Sequence, residues 1–380
     1  MQSLSQSPTD DGFVQNPYPF YDRARAAGSL FHWLDYDLIC ATSATTVGAI
    51  LRDRRFGREV PDENRAPIPD HLKPFYAVEA HSMLELEPPR HTRLRSLVLR
   101  AFTSRRIAAL EPEIAALTHA LIDAFPTGDF DLLPHFAQKL PVIIISRLLG
   151  VPEDRADDLL QWSNAMVGMY QARRDRGMED RAVAATEAFV SFLSAYVEER
   201  RATPADDLIT HLIAAEMEGE TLSTDELITT CILLLNAGHE ATVHTIGNGV
   251  KALIENGFGS EALTSETIDG TVEEILRHDP PLHLFTRHAY EDIEIAGHTF
   301  RRGDEVGCLL AAANRDPRHW DRPDRFDPAR PVKANLSFGI GLHFCVGAPL
   351  ARLELKTALP ILFDRLPRLQ LAAPPRYANL

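Results

Sequence analysis

The fold of this chain is best predicted from one stretch, Ser337-Phe338-Gly339-Ile340-Gly341-Leu342-His343-Phe344-Cys345-Val346-Gly347. It places one cysteine among glycines, which allow backbone conformations and close approaches that a Cβ would block. Pro349 follows at a position where a helix can begin without losing a hydrogen bond. Because the N-terminus of a helix favours negative charge, we expect Cys345 to be held as a thiolate, the form of cysteine that binds metal.

The pattern Phe-Gly-x-Gly-x-His-x-Cys-x-Gly resembles the haem-binding loop of the cytochrome P-450 monooxygenases, in their soluble bacterial form. The resemblance implies a mainly α fold with a small β-rich lobe, built as a single domain over residues 1–380. It implies haem b, iron protoporphyrin IX, with Cys345 as the axial iron ligand. It also implies a loop around the haem formed by Phe338, Gly339, Gly341 and Gly347. A thiolate ligand favours cleavage of the O–O bond.

The remaining cysteines, Cys40, Cys231 and Cys308, have no comparable surroundings and no spacing typical of disulfides or of covalent haem attachment. We predict three buried thiols in a reducing cytoplasm. In the resembling family a final β-hairpin follows the residues that end this sequence. We expect the domain to lack that hairpin.

Composition argues against two classes of partner. The 380 residues carry a formal charge of −15, and a nucleic-acid-binding surface would need a basic face. The polar N-terminus does not resemble a signal peptide, and no apolar run approaches the roughly 18 residues of a membrane span. We therefore expect a cytoplasmic protein with no nucleic-acid or membrane partner. We also expect a monomer.

Local patterns predict the main elements. A short helix is expected over Pro17–Ala27, followed by two strands at residues 30–34 and 38–41. Residues 59–80 contain four prolines and are predicted to be irregular. In the resembling family the corresponding segment covers the substrate pocket. Helical patterns then continue from residue 89 to residue 263.

His91 and Arg95 lie four residues apart near a predicted helix start, so both side chains occupy one helical face. Two donors on one face suit an anionic group. By resemblance they bind the haem propionates, and Arg287 and His343 match two further propionate contacts. Taken singly, each such residue is more often a surface charge or a satisfied histidine, and it is their joint agreement with one cofactor that favours haem.

The tetrapeptide Glu274-Ile275-Leu276-Arg277 puts a carboxylate and a guanidinium on one helical face, as a bidentate pair requires. By resemblance, Arg330 completes a structural network with Glu274 and Arg277 that supports the cysteine loop. Loss of one partner should strand a buried charge, at a cost of about 3–5 kcal/mol.

A long helix is predicted from about Ser223 to Ile254, opening with a capping-box pattern. By resemblance, a stripe that includes Ala237 and Gly238 crosses the oxygen-binding face of the haem, although close helix packing would select the same small residues. The family has an acid followed by a threonine, whereas this chain has Glu240 followed by Ala241. Thr242 lies about 100° further round the helix, so it cannot simply replace the missing hydroxyl.

Glu240, Ala241 and Thr242 are thus the candidate catalytic positions. Our hypothesis is that an ordered water or a substrate hydroxyl supplies the alcohol that the acid needs for proton delivery. Poor coupling and direct use of peroxide are the alternatives that the sequence leaves open.

By resemblance, the candidate substrate pocket is largely apolar and is formed by Phe75, Tyr76, Leu234, Leu282, His283 and Phe285. His283 could be a polar handle for substrate, or it could bond the haem edge or a backbone carbonyl. The expected reaction is insertion of one oxygen atom from O2 into a small or medium-sized organic substrate, by hydroxylation or O-dealkylation.

No flavin or iron–sulfur motif follows the haem portion, so a separate ferredoxin and ferredoxin reductase are implied, with NAD(P)H acting only through them. The alternatives are a peroxide-using haem-thiolate enzyme and a haem-binding protein without turnover, such as a sensor.

Overall fold

The computed structural model describes residues 1–171, 174–217 and 219–377, and about 56% of it is helical. Fifteen α-helices lie in this described part of the chain: α1 (Asp11–Gln15), α2 (Tyr18–Ala27), α3 (Ala44–Arg52), α4 (Lys73–Glu79), α5 (Arg90–Ala101), α6 (Ser104–Ala108), α7 (Glu111–Asp123), α8 (Lys139–Leu149), α9 (Ala156–Val167), α10 (Arg176–Ala202), α11 (Leu208–Ala214), α12 (Thr224–Glu255), α13 (Ile268–His278), α14 (Leu310–Ala313) and α15 (Ala348–Arg365).

Ten strands accompany them within the same ranges: β1 (Gln2–Leu4), β2 (Leu30–Trp33), β3 (Leu38–Ala41), β4 (Phe56–Gly57), β5 (Glu216–Met217), β6 (Glu220–Thr221), β7 (Leu284–Ala289), β8 (Ile293–Ile295), β9 (His298–Phe300) and β10 (Glu305–Leu309). Six of them form one mixed sheet in the order β1-β2-β3-β10-β7-β4, and the others form two hairpins, β5-β6 and β8-β9.

The chain divides into two compact units, each assembled from separate stretches. Among the described residues, the first unit contains Met1–Arg65, Thr245–Cys345 and 363–377; the second contains Ala66–His244 and Val346–Leu362.

The first unit is built on the six-stranded sheet. Strand β10 is its centre, running parallel to β3 and antiparallel to β7. One cluster of buried side chains, including Ile50, Phe56 and Phe300, packs around α3, β7 and β10. Another, including Phe20, Phe31 and Trp33, packs α2 against β2 and β3. The two strands predicted near the N-terminus and the helix before them are confirmed.

The second unit is helical apart from the hairpin β5-β6. Helix α10 packs against α9, α4 and α11, and α8 packs against α7 and α9. Side chains cap the N-termini of several helices: Asp175 accepts from Met178 N–H at 2.8 Å on α10, and Asp207 accepts from Thr210 N–H at 2.8 Å on α11. Such caps contribute about 1 kcal/mol each.

The long helix α12 opens as predicted. Ser223 Oγ accepts from Glu226 N–H at 3.2 Å, and Glu226 Oε2 accepts from Ser223 N–H at 3.0 Å. This reciprocal capping box satisfies two backbone donors at the helix start.

The prediction that residues 59–80 are irregular is wrong in part. Helix α4 occupies Lys73–Glu79, and single 3-10 turns form at Asp62–Asn64 and Asp70–Leu72. Three of the four prolines, Pro61, Pro69 and Pro74, stand at or just before the first turn of an element, where a missing N–H is harmless, and Pro67 lies between elements.

Cys40, Cys231 and Cys308 are fully buried, as predicted. Over the described ranges, none of the longer helices carries an apolar stretch sufficient for a membrane span.

Candidate active site

The cysteine loop of the first unit is shaped by glycine. Gly339 and Gly341 adopt left-handed conformations, with φ of +65° and +81°. A Cβ at Gly341 would clash with the carbonyl oxygen of Leu51, so a side chain is excluded there by space as well as by conformation. The Cys345 N–H donates to the carbonyl of Phe338 at 3.0 Å, which closes the loop and leaves Cys345 exposed.

The helix predicted after the cysteine loop is present. Helix α15 begins at Ala348, three residues after Cys345, with Pro349 in its first turn. The first-turn N–H of Ala351 donates to the carbonyl of Gly347 at 3.0 Å.

The other three cysteines contrast with Cys345. Burial raises the pKa of Cys231 to about 12 and that of Cys308 to about 12, and it also raises the pKa of Cys40. A thiol kept neutral by burial is a poor metal ligand. Among the four cysteines, exposure singles out Cys345 for chemistry.

A chain of hydrogen bonds fixes the start of the loop. Ser337 Oγ donates to the carbonyl of Leu276 on α13 at 2.6 Å and accepts from Asn314 Nδ2 at 2.8 Å. Asn314 Oδ1 in turn accepts from Leu336 N–H at 2.8 Å. Because Asn314 and Ser337 are buried, these bonds replace hydration and hold the loop in one position.

The charged network predicted around Glu274 is present in the first unit. Arg277 pairs with Glu274 in a bidentate manner, Nε to Oε2 at 2.7 Å and Nη2 to Oε1 at 2.8 Å. Arg330 Nε also donates to Glu274 Oε2, at 3.0 Å. Arg277 Nη1 donates to the carbonyl of Asn314 at 2.9 Å, which connects this network to the hydrogen bonds under the loop.

Strand β7 carries Arg287, which is 3% exposed and donates to the carbonyl of Thr286 at 2.7 Å. The ring of Phe285 lies beneath the loop, since a Cβ on Gly339 would come within 3.3 Å of it. His343 lies in the loop itself, in a single 3-10 turn.

Two of the predicted pocket residues lie next to β7. Leu282 is 47% exposed. His283 is hydrogen-bonded through Nδ1 to the Tyr21 hydroxyl at 3.0 Å, and burial lowers its pKa. A protein hydroxyl therefore holds His283, a partner that the sequence did not suggest.

In the second unit, His91 and Arg95 occupy one face of α5, with His91 buried and Arg95 half-buried. Their neighbour Arg93 is engaged in an ion pair with Glu226, the capping residue of α12. This ion pair therefore connects α5 to the start of α12.

Helix α12 has an open face and a packed face. Ala237 is exposed and Ala241 half-buried, whereas Thr242 is only 5% exposed. A Cβ on Gly238 would come within 3.0 Å of the Ile145 side chain on α8, which supports the close-packing explanation for that glycine. Thr242 and Ala241 thus occupy different environments, in keeping with their separation around the helix.

Glu240 lies between two histidines. Its Oε2 is 3.5 Å from His239 Nε2, and its Oε1 is 3.5 Å from His244 Nε2. Burial raises the pKa of the Glu240 carboxyl, but the two nearby imidazoles, His244 foremost, outweigh that effect and leave the pKa below its usual value. Apart from the presence of histidine at both positions, no signal in the sequence indicates this arrangement.

Phe75 and Tyr76 lie on α4, with their rings edge to face at 5.3 Å between centroids, and Leu234 is buried on α12. Two polar contacts fix the α4 region: Tyr170 donates to Glu79 Oε2 at 2.8 Å, and His71 Nε2 lies 2.8 Å from Glu179 Oε2 on α10.

Comparison with known proteins identifies the family to which this chain belongs. The cytochrome P450 family model matches residues 61–267 and 264–367. Cytochrome P450 107B1 of Saccharopolyspora erythraea is 36% identical over 96% of this chain and 91% of its own length. The vitamin D(3) 25-hydroxylase of Pseudonocardia autotrophica is 38% identical over 95% of this chain and 89% of its own.

A solved structure of P450BioI, in complex with an acyl carrier protein ligated to hexadec-9Z-enoic acid, aligns with a TM-score of 0.91 at 34% identity, covering 97% of this chain and 96% of that one. The chain therefore belongs to the cytochrome P450 family: it has that fold, it is an oxidoreductase of the monooxygenase type, and its cofactor is haem b.

Proposed function

We propose that this cytochrome P450 inserts one oxygen atom from O2 into a small or medium-sized, largely apolar organic substrate, by hydroxylation or O-dealkylation, with Cys345 as the axial ligand of the haem iron. The observation that carries the ligand assignment is the exposure of Cys345 in a glycine-shaped loop, while the other three cysteines are buried.

The residues present fit haem within each unit taken separately. The first unit offers one exposed cysteine, Cys345, together with the cationic Arg287 and the imidazole of His343. The second unit offers two donors, His91 and Arg95, on one face of α5. A thiolate suits the iron, and the cationic and imidazole donors suit propionates.

When bound, the haem supplies thiolate-ligated iron at which O2 is activated. Cys345 supplies the sulfur, and the hydrogen bonds through Ser337 and Asn314 hold its loop in place. In the first unit Arg287 and His343, and in the second unit His91 and Arg95, are the residues that would hold propionates. The exposed face at Ala237 and Ala241 leaves room for small molecules beside α12.

Proton delivery in this chain relies on Glu240 without a neighbouring threonine hydroxyl. Ala241 has no side-chain hydroxyl to donate, and Thr242 is buried on another face. An ordered water or a hydroxyl of the substrate takes the place of the alcohol, so substrates that already carry oxygen are favoured.

The relatives support an organic small-molecule substrate. Their names include a vitamin D(3) 25-hydroxylase and a 6-deoxyerythronolide B hydroxylase, the latter 38% identical over 95% of this chain. The side chains proposed to contact substrate are Phe75, Tyr76 and Leu234 in the second unit and Leu282, His283 and Phe285 in the first, and most of them favour apolar contact.

The electrons come from NAD(P)H through a separate ferredoxin reductase and ferredoxin, and the protein works as a monomer. A peroxide-using reaction is the second candidate, and the alanine at position 241 is the feature that favours it.

The test follows isotopically labelled oxygen into the product. Purified holoenzyme, ferredoxin, ferredoxin reductase and NADPH are incubated under ¹⁸O2 with vitamin D3 and with 6-deoxyerythronolide B, the substrates named for two relatives. A hydroxylated product carrying one ¹⁸O atom, absent with the C345S variant, is the expected result. Product formed only when hydrogen peroxide is added, with its oxygen from the peroxide, would contradict the O2-dependent reaction and establish the second candidate.

A further inference from the structure

Glu240 needs a source of protons. Burial raises the pKa of its carboxyl, but the nearby His244 imidazole outweighs burial and holds that pKa below the usual range, so the group is ionised at neutral pH. An ionised carboxylate passes a proton on only after it has received one. Within the described part of the chain, the ionisable side chains beside its oxygens are His239 and His244.

His239 is not that source. Its Nδ1 lies 2.8 Å from the carbonyl oxygen of Leu235, and because a carbonyl can only accept, Nδ1 carries the hydrogen. Burial to 1% exposure lowers the pKa of His239, so the ring is neutral and Nε2 presents a lone pair to Glu240 Oε2. Nε2 makes no conventional hydrogen bond to any described residue, as two facing acceptors require.

His244 differs from His239 in its exposure. Its side chain is 32% exposed, and its Nε2 is buried 3.5 Å from Glu240 Oε1, like His239 Nε2 without a conventional hydrogen bond to any described residue. The exposed part of the side chain is therefore away from Nε2. The side chain is partly accessible to solvent and also faces the carboxylate, as a proton relay requires.

We propose that His244 transfers protons from solvent to Glu240, while His239 Nε2, an acceptor that faces the other carboxylate oxygen, transfers none. This relay rests on the proposed function. Because His244 acts through Glu240, it is a positioning residue for the reaction.

Protons and electrons balance in this relay. Each monooxygenase turnover combines substrate, O2, two electrons from the ferredoxin and two protons, and yields oxygenated substrate and one water. In each relay step a solvent proton adds to His244 at Nδ1 and the Nε2 proton moves to Glu240 Oε1. The imidazole then returns to its first tautomer, and no electrons move in the relay. Turnover with hydrogen peroxide needs no net protons or electrons, so it bypasses the relay.

The first test compares two routes in the same holoenzyme. In H244F, the ratio of the NADPH-driven rate to the peroxide-driven rate should fall about 10-fold or more, as expected for loss of a proton-transfer group. H244Q keeps an N–H donor near Glu240 but cannot relay, so the same fall is expected. The matched control is H211F. His211, on α11, is likewise a partly exposed histidine beside a carboxylate: it is 41% exposed, and its Nε2 lies 3.0 Å from Asp206 Oδ1. It should leave the ratio unchanged.

An unchanged ratio in H244F, or a ratio restored in H244Q, would overturn the relay, since the second result would mean that His244 only orients Glu240. Wild-type holoenzyme that makes no product by the NADPH route would overturn the proposed function and the relay together.

The second test does not use activity. Histidine ¹⁵N NMR of the reduced, carbon-monoxide-bound holoenzyme, which is diamagnetic, reports which ring nitrogen of each histidine carries hydrogen. His239, assigned by its loss in H239F, should show hydrogen on Nδ1 alone. Hydrogen on Nε2 of His239 would make that residue a donor to Glu240 and would overturn the assignment to His244.

Discussion

Replacing Glu274 with glutamine, E274Q, should lower the free energy of unfolding by about 3–5 kcal/mol, the usual cost of breaking a buried ion pair. The carboxylate accepts four N–H groups: Arg277 Nε at 2.7 Å, Arg277 Nη2 at 2.8 Å, Asp327 N–H at 2.8 Å and Arg330 Nε at 3.0 Å. The side chains of Glu274 and Arg277 are 2% and 1% exposed.

The size of the effect follows from these contacts. Glutamine matches the shape of glutamate but has one acceptor oxygen, and its NH2 group would face two of the four donors. The Arg277 guanidinium would also remain buried without a counter-charge, and water cannot reach it. Because Arg277 also bonds the carbonyl of Asn314 beneath the cysteine loop, haem content should fall as well.

The assay is urea unfolding followed by far-UV circular dichroism, with Soret absorbance per protein as the measure of haem. The matched control is E255Q, because Glu255 also pairs with a residue of its own helix, Lys251 at 2.8 Å, but is 41% exposed. That control should change the free energy of unfolding by no more than about 0.5 kcal/mol. The reasoning is refuted if E274Q stays within roughly 1 kcal/mol of the wild type, the range of an exposed pair.

Three further predictions concern single positions. Burial raises the pKa of Asp316, but hydrogen bonds from Arg318 and a backbone N–H outweigh burial and hold that pKa below its usual value. The ionised carboxylate therefore stabilises the fold above the ordinary carboxyl pKa, and this stabilisation is lost as pH falls through the lower pKa of Asp316 in the folded protein. Below about pH 4, the melting temperature of D316N should therefore vary less with pH than that of the wild type. G341A should lose haem, measured by Soret absorbance, whereas G297A, with a similar φ of +77° but open space, should retain it; equal losses would refute the steric argument. A241T should change the fraction of consumed O2 that appears in product, together with the preference for hydroxyl-bearing substrates; if neither changes, the substrate-assisted hypothesis is wrong.

The sequence predicted what depends on local pattern. The glycine loop, the capping box of α12, the strands β2 and β3 and the three buried cysteines follow from spacing, glycine chemistry and hydrophobic periodicity, and the structure contains them all. Helix α4 was missed because four prolines were taken as a barrier, although Pro74 stands in the first helical turn, where it is tolerated.

The candidate site was less predictable wherever it depends on side chains brought together from distant segments. The bond of His283 to Tyr21 joins residues 262 positions apart, and nothing local in either segment indicates it. Asn314 likewise carried no sign that it would hold the cysteine loop, because its partners, Ser337 and Leu336, come from a later segment. At Glu240 the neighbours were local, but their roles depended on rotamers and burial, which periodicity does not reveal.

The most direct test of the central claim, that Cys345 binds the haem iron as a thiolate, is the carbon-monoxide difference spectrum of the reduced, purified protein. Thiolate ligation predicts the far-red-shifted Soret band of the thiolate adduct, and its loss in C345S with the fold retained by circular dichroism. A band typical of histidine or neutral-thiol ligation in the wild type would contradict the claim.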